Sequence, residues 1–300
     1  MCRWGHAATY IPSPPAILIQ GGKTDPSSSF TYTSSPNSPD TFIIPLDQPF
    51  DGSPPIRQLD STSPPHAFHT ITNLGGSAPY DLLVFGGDGG PTTPTQTQAD
   101  SAWNGRYDPG NNTVSWTHEA NGWASQPQRR LYHSAAGPGD GKVYITGGLK
   151  GDGSGATFAD VYAYDIASQT LTTLPPLSQG TYHHNSVLLP NGTLIVLGGV
   201  STSPVTGNPA TVPLNQVYTL DTTSSSPAWQ TRSIGGEDPA GRRGSSSVLN
   251  ADGSKAFLFG GSDARLTAPL GDGWELDMAS SSWKQISAEG TGESTSWERS

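Results

Sequence analysis

Apolar residues along this chain fall into short runs, and the runs recur. Five times, four or five mostly apolar residues close on a glycine pair, at Ala16–Gly22, Leu82–Gly87, Val143–Gly148, Leu194–Gly199 and Ala256–Gly261. The first glycines of successive pairs lie 65, 61, 51 and 62 residues apart. Between 14 and 17 residues upstream of four pairs stands a histidine: His6, His69, His133 and His184. In the fifth unit Ser246 is taken as the residue in that place. A turn separates this position from the glycine-closed run: Pro12–Pro15, Gly75-Gly76, Asp140-Gly141, Asn191-Gly192 and Asp252-Gly253. Asn-Gly and Asp-Gly between alternating apolar runs signal hairpins, because the turn needs residues that accept positive φ.

Downstream of each pair a third run ends in an aspartate, at Asp47, Asp108, Asp165, Asp221 and Asp277. In the last four units a large apolar residue follows: Trp116, Leu171, Trp229 and Trp283. Each unit therefore reads as four short strands. No window keeps a 3.6-residue apolar period without Gly or Pro interrupting it, so the chain is expected to be all β. The units are placed at residues 1–62, 63–126, 127–177, 178–238 and 239–290, with 291–300 as a tail or the start of a further blade. A four-stranded unit cannot bury both faces of its sheet alone. Repetition about an axis stacks sheet on sheet and leaves only short edges.

The hydrophobic strand closed by Gly-Gly, followed by Tyr and then Trp, resembles the kelch repeat, and the resemblance runs from residue 1 to about 290. It implies a kelch-type β-propeller of the galactose oxidase/kelch class, and the long Ser/Pro loops give it a fungal flavour. Propellers of this type usually close with six or seven blades, whereas five are recognisable here. Two arrangements stay open: a five-bladed ring, or part of a six- or seven-bladed ring. The similarity of Ser296–Ser300 to Ala240–Gly244 leads us to expect the approach to a sixth histidine-type strand.

Charge narrows the functional classes. Fifteen Lys+Arg against 25 Asp+Glu give a net charge of −10, and only 13% of residues are charged. Such a chain offers no diffuse basic face to a phosphate backbone, so nucleic acid is not expected as a partner. No apolar stretch reaches the eighteen or so residues of a membrane helix. The single Cys2 excludes an intramolecular disulfide. An export signal is not evident at the N-terminus, yet Asn111 and Asn191 head glycosylation sequons. Extracellular and cytoplasmic locations both stay open.

The glycine pairs Gly21/Gly22, Gly86/Gly87, Gly147/Gly148, Gly198/Gly199 and Gly260/Gly261 are expected to be structural, since no helix follows to make a phosphate loop. The repeated aspartates suit turn hydrogen bonds and the Trp and Tyr residues inter-blade packing. Candidate chemistry lies with the arginines. Arg129-Arg130, Arg242-Arg243 and Arg3 are expected on the face that carries the unit connections and the loops after each Gly-Gly. There they would grip carboxylates of a protein or peptide partner, an acidic one above all. Kelch adaptor proteins use this face for acidic peptides, so the resemblance implies a non-catalytic binding scaffold without a cofactor.

A second reading rests on Tyr132-His133 and Tyr182-His183. These pairs are similar to the ligands of copper-radical oxidases of the galactose oxidase type, which would imply copper and oxidation of primary alcohols or sugars. The cross-linking cysteine of those enzymes has no counterpart, because Cys2 stands at the extreme N-terminus. His183 and His184 are adjacent on a strand, so they are expected to face opposite ways.

Overall fold

A computed structural model describes residues 3–25, 35–60, 63–88, 102–118, 127–202 and 208–286. Cys2, the expected approach at Ser296–Ser300 and the tail 291–300 lie outside these residues. Every regular element described is a strand, and no helix among the described residues is long and apolar enough to cross a membrane.

Twenty of the 28 described strands form five four-stranded antiparallel blades with one wiring, each built in sequence order from inner to outer, and shorter strands pair beside them. The first blade is Ala7–Pro12, Pro15–Gln20, Thr41–Pro45 and Arg57–Gln58. The second is Ala67–Asn73, Tyr80–Asp88, Ala102–Asp108 and Thr113–His118. The third is Ser134–Ala136, Lys142–Thr146, Val161–Asp165 and Thr170–Leu174. The fourth is Asn185–Leu188, Thr193–Leu197, Gln216–Asp221 and Gln230–Ser233. The fifth is Ser246–Leu249, Lys255–Phe259, Gly273–Asp277 and Ser282–Ile286. Its outer edge is covered by Gly235–Gly236, which pairs in parallel with Ser282–Trp283. Covering an edge in this way removes a template for unwanted strand pairing. The chain is a β-propeller.

Two-residue alternation decides which core each side chain enters. On the second strand of the second blade, Leu82 and Val84 pack toward the first blade, while Leu83 and Phe85 pack toward the third. On the equivalent strand of the fourth blade, Leu194 and Val196 face the third blade, and Ile195 and Leu197 face the fifth. Four apolar cores thus join the five blades in succession. Indole N–H groups tie neighbours together as well: Trp229 donates to Pro175 O and Trp283 to Leu214 O, both at 2.8 Å.

The repeat features have the local roles their chemistry suits. Asp165, Asp221 and Asp277 accept backbone N–H bonds from Ser168, Thr223 and Ser280 at 2.9, 2.9 and 2.8 Å, which closes the turn to the outer strand. Those hydrogen bonds hold all three carboxyls below the ordinary carboxylate range. Both residues of every Gly-Gly pair have positive φ. At Gly86 a Cβ would also lie 2.6 Å from Arg130 O of the next blade, so the pair bends the strand and admits the neighbouring backbone. The second glycine then bonds across the junction, with Gly148 N donating to Thr181 O and Gly199 N to Arg242 O, both at 2.8 Å.

One position is corrected. The residue against the fifth glycine pair is Ser245, not Ser246: Ser245 lies beside Gly261 as His184 lies beside Gly199 and His69 beside Gly87. Counting back by the commonest histidine spacing lands one residue too far along, onto the other face of the strand.

Candidate functional site: the central cavity

The inner strands converge on the propeller axis, and the residue entering each one has an unusual backbone. Gly5, Phe68, Tyr132, His183 and Gly244 hold equivalent positions, with φ of 63°, 60°, 55°, 54° and 65°. They form a relay of backbone bonds from blade to blade. Phe68 N donates to Gly5 O at 2.7 Å, Tyr132 N to Phe68 O at 3.2 Å, His183 N to Tyr132 O at 2.8 Å and Gly244 N to His183 O at 3.1 Å. Glycine suits this left-handed conformation, whereas a bulky residue there is a strained exception costing on the order of 1–3 kcal/mol. The three interior blades nevertheless carry rings. Phe68 and Tyr132 lie 4.6 Å apart between centroids, and His183 stacks on Tyr132 at 3.9 Å, so the strained residues build an aromatic staircase.

That staircase lines a cavity of about 760 Å³, bounded by the inner strands of all five blades, with Trp4, Arg243 and Leu266 on its wall. Arg243 lies over the Tyr182 ring, 5.4 Å from its centroid, and donates to Ala264 O at 3.2 Å. Its Nε is buried without a partner, and no carboxylate among the described residues pairs with it. The His183 Nε2 is likewise buried without a partner. Burial first, and the Arg243 charge second, hold His183 well below its ordinary value, so the imidazole is neutral at physiological pH. The wall thus combines the flat rings of Phe68 and Tyr132, the neutral imidazole of His183 and one guanidinium with donor capacity to spare.

The remaining arginines divide sharply. Arg130 and Arg242 have no exposed side-chain surface. Each grips a carboxylate with both terminal nitrogens, Arg130 on Asp160 and Arg242 on Asp272, and each also donates to the first glycine carbonyl of its own blade. Arg3 repeats the arrangement with Asp40 and Gly21 O. These three are latches that fasten the entry segment of a blade to its glycine pair and third strand, so Arg3, Arg130 and Arg242 are engaged within their blades and not at the cavity wall. Arg242 holds the Asp272 carboxyl below the ordinary carboxylate range. Arg129 donates from Nε to Gly87 O at 2.7 Å. Of the five expected binding residues, the structure brings Arg243 alone to the cavity wall.

Three acidic partners, Asp40, Asp160 and Asp272, escape a reading of the sequence. Their signal is an aspartate 30 residues after the latch arginine in two units and 37 after it in another.

The phased histidines belong to the blade junctions. His133 Nε2 lies 2.9 Å from Thr70 Oγ1, and His184 Nε2 lies 2.7 Å from Thr146 Oγ1, each on the preceding blade. Burial pushes His69 and His133 well below the ordinary value and His184 down to about 4. His183 and His184 face opposite ways, one into the cavity and one into a junction. Of the Tyr132, His133, Tyr182 and His183 set, the rings of Tyr132, Tyr182 and His183 lie 3.9–6.5 Å apart between centroids, while His133 Nε2 lies against Thr70 Oγ1. No cluster of three or more His, Cys, Asp or Glu suited to a metal occurs among the described residues.

Fold and cavity together define a repeat β-propeller with an axial cavity. Comparison with known proteins agrees on the repeat: residues 68–300 match the KLHDC2/KLHL20/DRC7 kelch-repeats domain, and the chain belongs to the kelch-repeat family. It is also similar to the serine/threonine-protein phosphatase BSL2 of Arabidopsis thaliana, with 32% identity over 144 residues. That match covers 46% of this chain and 13% of the plant protein.

Proposed function

We propose that the protein is a non-catalytic interaction scaffold that takes an acidic segment of a partner protein into the axial cavity, with Arg243 as the anchor. Kelch-repeat domains generally serve as protein-interaction scaffolds, and this supports the general role. The single observation that carries the specific reading is the state of Arg243. A guanidinium has five N–H donors. Here it lies at a cavity wall with a buried unpartnered Nε and no carboxylate partner among the described residues. A partner Asp or Glu supplies what is missing, and the staircase of Phe68, Tyr132 and His183 offers flat apolar surface to its neighbours. A charge-assisted bond of this kind contributes about 1.5–3 kcal/mol. The copper-oxidase alternative gains no support, since His133 lies against Thr70 Oγ1 and His183 stacks on Tyr132. Peptide-display selection against the purified chain tests the proposal: the recovered sequences are expected to be rich in Asp and Glu, and binding to weaken as salt rises. Recovery of a neutral or basic consensus would contradict it.

A further inference from the structure

Beside Arg243 the cavity wall holds a second buried nitrogen without a partner, Nε2 of His183. The junction histidines differ from it: His133 and His184 each set Nε2 against a threonine hydroxyl of the preceding blade. The His183 ring lies on Tyr132, with centroids 3.9 Å apart and planes inclined by 28°. Stacking occupies the face of an imidazole, whereas its nitrogens bond in the ring plane, so the stack orients the ring edge without satisfying it. The backbone that carries the ring has φ at 54°, a conformation a bulky residue keeps only where its surroundings enforce it. Leaving a buried nitrogen unpaired is costly, and an acceptor oxygen removes the cost.

His183 and Arg243 are also neighbours. Gly244 N donates to His183 O at 3.1 Å, which draws the segment carrying Arg243 alongside the imidazole. Both residues adjoin the Tyr182 ring, Arg243 at 5.4 Å and His183 at 5.7 Å from its centroid. Arg243 Nε is the matching buried donor without a partner.

We propose, resting on the acidic-segment reading above, that His183 is the second anchor of that segment: one partner carboxylate lies between its Nε2 and the Arg243 guanidinium, and the carboxylate's arrival draws a proton from solvent onto the imidazole. Burial and the neighbouring Arg243 charge keep the imidazole neutral. A carboxylate placed between the two groups offsets the second influence, because it favours the positive form of both. Binding is then coupled to proton uptake. It strengthens as pH falls through the histidine range, until the partner's own carboxyls titrate near about 4. The groups facing His183 are Tyr132 of the third blade, Tyr182 and His184 of its own, and Arg243 of the fifth. His184 stays neutral, since its value lies near 4. Phenols and guanidinium groups keep their charge state across this range, so His183 is the group that titrates.

The probe is one acidic peptide from the display selection, with a counterpart carrying Gln and Asn in place of Glu and Asp. Calorimetry in buffers of different ionisation enthalpy, at about pH 6 and about pH 7.5, reads affinity and proton uptake together. The wild-type protein is expected to take up a fraction of a proton and to bind at least about threefold tighter at the lower pH. His183→Asn, a residue that tolerates the left-handed backbone, is expected to fold and to lose both the uptake and the pH dependence. Binding that Arg243→Ala weakens, but with the same uptake in wild type and His183→Asn, overturns the His183 anchor and leaves Arg243 in place. An affinity loss in His183→Asn that is equal at the two pH values, with uptake unchanged, overturns it as well by marking a packing role. Failure of every acidic peptide to bind overturns the acidic-segment reading and the His183 anchor with it. If His183→Asn does not fold, NMR of the wild-type imidazole decides, with its signals assigned through contacts to the Tyr132 ring. Its titration is expected to move to higher pH with the acidic peptide and to stay in place with the amide counterpart. A titration that the acidic peptide does not move overturns the anchor.

Discussion

Arg242 and Arg243 are neighbours in the chain, yet they serve opposite regions of the molecule. Arg242 points into the blade, where Asp272 and two backbone carbonyls accept four hydrogen bonds from it. Arg243 turns to the axis and meets an aromatic ring, one carbonyl and the cavity. Adjacent residues on an extended segment point to opposite sides, so one step along the chain separates a cation paired inside a blade from one at the cavity wall. The same step divides His184, in a junction, from His183, in the cavity. Charge alone does not mark a binding residue. The distinction lies in whether the fold already supplies its counter-ion.

Breaking the latch should have the largest effect. Arg242→Ala leaves the Asp272 carboxylate and the Gly260 carbonyl without their partner, and loss of one member of a buried pair costs about 3–5 kcal/mol. Urea denaturation should show the midpoint falling with little change in slope. An Arg242→Ala protein as stable as wild type would remove the latch from the account.

Acid should act on the junctions next. His184 titrates near 4 when folded, against 6.5 when unfolded, so the unfolded chain binds the proton more readily. Its stabilising contribution is therefore complete above about pH 6.5 and is lost as pH falls toward 4, amounting to about 3 kcal/mol. His69 and His133 are shifted in the same direction by burial and add to the loss. Thermal denaturation across this range should show a fall in Tm, and His184→Gln should flatten part of it.

The cavity should be far less sensitive. Replacing Tyr132 with Gly removes three ring contacts, but it also relieves a left-handed backbone strain of about 1–2 kcal/mol. Net stability is expected to change by less than about 1 kcal/mol, because the gain offsets the loss. A loss well above that in chemical denaturation would make the staircase a packing device rather than a ligand surface.

The repeat was legible because its elements are local. Glycine pairs, Asp-Gly turns and alternating strands each declare themselves within a few residues, and their phase along the chain carries the propeller. The site was less legible for two physical reasons. The latch joins Arg130 to Asp160 and Arg242 to Asp272 across 30 residues, a distance at which only the folded blade makes partners of them. The relay position is defined by conformation rather than by chemistry: Gly, Phe, Tyr, His and Gly share a φ near 60° and no side-chain property. Arg243 could be named from the sequence as one of a pair, but not told apart from Arg242.

The most direct test titrates one display-selected acidic peptide against wild-type protein and Arg243→Ala by calorimetry, with thermal denaturation of both alongside. Arg243→Ala is expected to weaken binding at least tenfold, about 1.4 kcal/mol, with Tm nearly unchanged. Equal affinity for the two proteins would contradict a recognition site at the propeller axis anchored by Arg243.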